Sequence, residues 1–90
     1  MKIPKQFELG GLTWKVVIVD HLPGAMGTTD NSKAEIHLLK SIPPHVREQV
    51  FFHELVHAIL FSMGKPADQH DEIFTDGFAT FLQQFFKSKQ

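Results

Sequence analysis

His53 and His57 stand four residues apart, with Glu54 directly after the first. On a helix this spacing puts both imidazoles on one face, one turn apart, so both can reach a single ion. A catalytic metal site typically takes three protein ligands and keeps one position for water. Zinc in such a site lowers the pKa of its water to about 7. A carboxylate beside it, where Glu54 stands, can take the water's proton and later hand it to a leaving amine. In a chain of this length the pattern His-Glu-x-x-His arises by chance in about one case in a few hundred. The plain alternative is a helix that shows two histidines to solvent or packs them among polar neighbours. The motif's place inside an apolar run, Phe51 to Leu60, favours the metal.

A third ligand is needed. The chain has no cysteine, so thiolate is excluded and His, Asp or Glu must supply it. Glu72 is the first choice and His70 the alternative, with Asp71 a weaker third. The helix runs on past His57 to Met63, and residues 64–70 let the chain double back, which returns Glu72 to the level of the two histidines. Glu72 and Asp76 are four apart, and Ala79 and Gln83 continue their face. One carboxylate can then bind the ion while the other takes a hydrogen bond from a ligand imidazole and fixes its orientation. Against this stands the possibility that Asp71, Glu72 and Asp76 only decorate a solvated helix start and its dipole.

The elements that must position these groups are legible from punctuation and periodicity. Gln6–Leu9 and Leu12–Val19 flank Gly10-Gly11, a two-residue hairpin turn. Val16 to Val19 is β-branched throughout, which favours a strand buried on both faces or at least well covered. Further strands are expected near Met26–Thr29 and Ala34–Leu39, around a turn at Asp30–Ser32. Pro43-Pro44 starts a helix of about 44–63, and Gly64 with Pro66 stops it. A second helix covers about 71–86, with Phe74, Phe78, Phe81, Leu82 and Phe85 as its apolar stripe. The expected fold is α+β: one domain over 1–90, with a small three- or four-stranded, mostly antiparallel sheet packed on two helices.

Composition removes several function classes. A net charge of −1 without a basic stripe argues against nucleic-acid binding. No apolar run approaches the ~20 residues of a membrane span, and the start lacks a signal-peptide core. A cytoplasmic protein is the expectation. Neither the oligomeric state nor a substrate is readable.

His53-Glu54-Leu55-Val56-His57 resembles the motif of the zincin metallopeptidases. Metzincins place a third His six residues after the second, with a Gly between. Met63 and Leu60 occupy those positions here, so that class is excluded. Asp71 to Thr80 is similar to the glutamate helix of gluzincins, the thermolysin-like class, and the compact plan is similar to minigluzincins and small phage or prophage zincin-like proteins. The resemblance covers about residues 34–86. It implies a zincin-like fold, a bound zinc ion with His53, His57 and Glu72 as ligands, Asp76 orienting His53, and Glu54 as general base and acid in peptide hydrolysis. It also implies that a strand near Glu35–Leu38 is the sheet edge that pairs with an extended peptide. A second resemblance, to SprT-like proteases, implies His70 as third ligand. Thermolysin-like enzymes support the oxyanion with a later Tyr or His, but this chain has no Tyr and no His after residue 70. His37, His70 or the metal alone would have to serve. The alternative to an enzyme is a module that binds another protein and uses zinc only for stability.

Overall fold

In a computed structural model, which describes residues 2–89, the chain forms β1 (Gln6–Leu9), β2 (Leu12–Val19), β3 (Gly27–Asp30), β4 (Glu35–Leu39), α1 (Pro44–Ser62), a 3-10 turn at Ala67–Gln69 and α2 (Glu72–Ser88). Gly10 and Gly11 both take positive φ, 60° and 79°. The two-residue turn between twisted antiparallel strands requires that conformation. Pro44 occupies the first turn of α1, where its missing N–H costs no hydrogen bond. At the other end, Gly64 follows the cap Met63 with φ 83°.

The four strands form one mixed sheet in the order β1-β2-β4-β3. β1 pairs antiparallel with β2, β2 parallel with β4, and β4 antiparallel with β3. Strand order is where the structure departs from the sequence reading. β4 lies inside the sheet and β3 takes the edge, so residues 35–38 have strands on both sides and cannot add a peptide strand. The turn after β3 folds β4 back between β3 and β2, with Lys15 paired to Glu35 and Val19 to Leu39.

Helix α1 covers one face of the sheet, and α2 lies over α1. Alternation along β4 turns Ile36 and Leu38 toward α1, both fully buried, and leaves Glu35, His37 and Leu39 on the other side. The parallel register puts Trp14 and Val16 on the helix-covered face beside Ile36. Of the β-branched run, Val16, Val17 and Val19 are half-buried and Ile18 is exposed, so β2 is covered only in part. Trp14, Ile36, Leu38, Phe51, Phe52, Val56, Ala58, Leu60 and Ala79 make up the core. Phe7 stacks on Trp14 at 6.4 Å between centroids, and Phe51 meets Phe52 edge-on at 5.4 Å. Truncating Phe52 to Ala would cost roughly 3–5 kcal/mol.

Helix α1 lies between the sheet and α2, which explains why it is apolar over most of its circumference. Helix α2 packs on it through Thr75 and Ala79, both buried, and through Phe86, which stacks on Phe52 at 6.0 Å. The stripe Phe74, Phe78, Phe81 and Phe85 is exposed. It flanks the Thr75–Ala79 side on one edge, while Glu72, Asp76 and Gln83 flank that side on the other. Among the described residues, no helix is long and apolar enough to cross a membrane.

Candidate metal centre

The middle of α1 presents His53 and His57 one turn apart, with ring centroids 5.0 Å from each other. The return of the chain is built by Gly64, Pro66 and the 3-10 turn. It ends at Asp71, whose carboxylate caps α2 by accepting from the backbone N–H of Ile73 at 2.8 Å and of Phe74 at 3.2 Å. That cap sets Glu72 as the first residue of α2, facing the histidines. His53 Nε2 lies 3.3 Å from one oxygen of Glu72, and His57 Nε2 lies 3.3 Å from the other. The two Nε2 atoms are themselves 3.3 Å apart. His53, His57 and Glu72 are the group of described residues that could hold a metal ion.

The hydrogen bonds around this triangle decide which ring nitrogens carry protons. Asp76 Oδ1 stands 2.6 Å from His53 Nδ1; a carboxylate accepts, so Nδ1–H donates. His70 Nε2 lies 2.9 Å from the Lys65 carbonyl and must donate to it. A neutral His70 then offers Nδ1 as a lone pair, and His57 Nδ1–H donates to it across 2.7 Å. Both Nε2 atoms are left as bare lone pairs, aimed at each other and at a carboxylate. The two Nε2 atoms, 3.3 Å apart, and the two Glu72 oxygens, each 3.3 Å from one of them, are electron-rich groups with no proton between them, and a cation among them would relieve their repulsion. Tetrahedral ligands at the ~2.0–2.1 Å of zinc–nitrogen bonds are separated by about 3.3–3.4 Å, which matches the separation of the two Nε2 atoms. Burial also pushes the His57 imidazole below its ordinary 6.5, against the pull of Glu72, which keeps it in the neutral, ligating form.

Glu54 is 8% exposed, on the side of α1 that faces β3. Thr29 Oγ1 lies 2.8 Å from Glu54 Oε1 and 3.0 Å from the Glu54 carbonyl, so one hydroxyl proton is shared between them. Burial raises the carboxyl above its ordinary 4.5, and the Thr29 hydrogen bond opposes that rise. Gly27 lets the strand come this close. A Cβ there would overlap Val50 Cγ1 and stand 3.1 Å from Glu54 Cγ. Along β3 run two grooves that share Gly27 and Glu54. One, of about 360 Å³, includes Met26, Gln49, Val50 and His53; the other, of about 390 Å³, includes Thr28, His57, Phe61 and His70.

The structure thus brings His53, His57, Glu72, Glu54 and Asp76 together. His70 is beside them, but both its ring nitrogens are engaged elsewhere and Phe61 packs on it at 4.5 Å, so it supports His57 and is no third ligand. Asp71 is a cap. His37 is not at the site. It lies on the sheet face away from the helices, with Nε2 2.8 Å from Glu35, because alternation in β4 sends it opposite to Ile36 and Leu38. Its expected role at an oxyanion is withdrawn. His21 and His45 are exposed and apart from the cluster. Sequence reasoning missed Thr29, which carries no local signal, and Gly27, which does: a glycine inside a strand marks a close approach. Compared with protein-family models, curated proteins and solved structures, the chain matches none of them.

Proposed function

We propose that the protein is a zinc-dependent peptidase of minimal zincin-like plan, with His53, His57 and Glu72 as ligands. The observation that supports it best is the triangle of unprotonated donors, closed by Asp76 and His70 from behind. Zinc held there would supply Lewis acidity and an acidic water. Glu54 takes the proton, since its burial keeps it a stronger base than a solvated glutamate. It then delivers the proton to the departing amine. β3 is the sheet edge bordering the grooves, and an extended peptide would pair with residues 27–30 and cross Glu54. With His37 turned away and His70 engaged, neither is placed to support charge on a scissile carbonyl, and a bound ion would supply that support. An enzyme without a dedicated donor is slower by about 10²–10³. A bound ion also stabilises so small a domain, but the buried, under-matched Glu54 carboxylate at the mouth of two grooves favours an enzyme.

The test combines elemental analysis with cleavage of a peptide library. The purified chain is expected to hold one zinc per copy and to cut peptides, with loss on chelation and recovery on adding zinc. Glu72→Ala loses the metal, whereas His70→Ala keeps it with weaker affinity. A chain that stays metal-free in excess zinc overturns the site. One that binds zinc and cuts nothing overturns the enzyme and leaves the binding module.

A further inference from the structure

Helix α2 carries Phe74, Phe78, Phe81 and Phe85 at intervals of four, three and four. At 3.6 residues per turn they fall within an arc of about 60°, about a quarter-turn round the helix from the side with Thr75, Ala79 and Phe86 that packs on α1. The rings are 52, 38, 70 and 61% exposed. At about 200 Å² per phenylalanine, about 440 Å² of aromatic surface is left uncovered. Met63, 67% exposed, extends it and lines a groove of about 480 Å³ with Phe74 and Phe78. We propose that this stripe is the seam of a symmetric homodimer in which two copies of α2 pack antiparallel.

Three observations select a second copy over other occupants. The spacing is palindromic: about a two-fold between residues 79 and 80, Phe74 meets Phe85 of the other copy and Phe78 meets Phe81. A d-a-d-a seam of this kind is self-complementary. Its charges agree as well. Asp71 lies at the start of the stripe and Lys89 just past its end. Antiparallel pairing therefore sets each aspartate beside a lysine, whereas parallel pairing would set like charges together. The area suffices: two stripes bring about 900 Å² of aromatic surface together, and an exposed Met63 from each copy brings this near the ~1,200 Å² where specific interfaces begin. The metal-binding side chains point the other way, so both grooves stay open in the pair.

Sedimentation equilibrium of the full chain is expected to show a dimer, and Phe81→Glu to make it a monomer with an unchanged circular-dichroism spectrum. A second measurement does not depend on that variant folding. The chain has no cysteine, so Phe74→Cys and Phe85→Cys proteins can be mixed and oxidised. In the antiparallel pair, 74 and 85 are opposed, while two copies of 74 lie about 16 Å apart along the axis, beyond a disulfide's ~7 Å reach. Mixed cross-links should therefore dominate. A wild-type chain that stays monomeric up to about 1 mM, or a Phe74→Cys protein that cross-links readily to itself, overturns the proposal.

Discussion

Glu48 and Glu54 sit on the same helix, less than two turns apart, and both are 8% exposed. Their surroundings differ. Glu48 accepts from the Gln83 amide at 3.0 Å and has Lys87 Nζ at 3.5 Å, both donors coming from α2. The Gln83 hydrogen bond, helped by the Lys87 charge, holds its carboxyl below the ordinary 4.5. Glu54 has half of one hydroxyl, from Thr29, and burial carries its carboxyl the other way. One buried charge is matched where two helices lock together. The other is under-matched where a strand passes a groove. On the proposed reading, the glutamate with a structural role is given partners, and the one proposed to exchange a proton is left short of them.

The largest expected effect separates the two by turnover. Glu54→Gln should lower kcat/KM on a cleaved peptide by at least about 10²–10⁴, the usual contribution of a positioned acid–base group, while zinc content is unchanged. Glu48→Gln should stay within about threefold, a stability change that does not reach the transition state. Equal losses in the two variants would erase the distinction.

The second effect is on the affinity for the proposed ion. Asp76→Asn can still meet His53 but no longer guarantees that Nδ1 carries the proton. Zinc affinity is expected to fall about 10–100-fold, measured by competition with a chromophoric chelator. An unchanged affinity would mean that the 2.6 Å contact does not orient the ligand.

Local signals carried much of this. The Gly-Gly turn, the Pro-Pro start, the Gly64 stop and the strand limits follow from backbone preferences that act within a few residues, and each element falls within one or two positions of its expected bounds. The histidine pair and the Glu72/Asp76 pair were legible because helical spacing is itself geometry. What escaped reading was set by contacts between distant parts. The interior place of β4 depends on how β3 folds back, and with it went His37 and the choice of edge strand. Periodicity marked the phenylalanine stripe of α2 but could not say which side of that helix faces α1. The partnership of Glu48 with Gln83 spans 35 residues and leaves no trace in either neighbourhood.

Stability gives a smaller and sharper contrast. Glu48→Gln removes a charged acceptor that the Gln83 amide and Lys87 both use, and should cost about 1 kcal/mol at neutral pH. Its folded pKa is depressed, so the stabilisation is present above the unfolded value of 4.5 and is lost as pH falls through the folded one. The difference between wild type and variant should therefore close in urea titrations run at progressively lower pH. A gap that persists in acid would assign it to packing.

The smallest effect has the opposite sign. Glu54 has a raised folded pKa, so its favourable contribution is present below 4.5, where it folds protonated, and is lost as pH rises through the folded value. In metal-free protein at neutral pH the buried carboxylate is thus a burden, and Glu54→Gln lifts it with little change of shape. The gain is expected on the order of 1 kcal/mol, or about 4–8 °C in melting temperature for a domain of this size. It should shrink on acidification, since the protonated wild type has no penalty left to relieve. Zinc shrinks it too, because the ion's positive charge favours the ionised carboxylate. If the variant is instead less stable than wild type without metal, Thr29 serves Glu54 better than one shared hydroxyl can, and the asymmetry between the two glutamates fails at its energetic root.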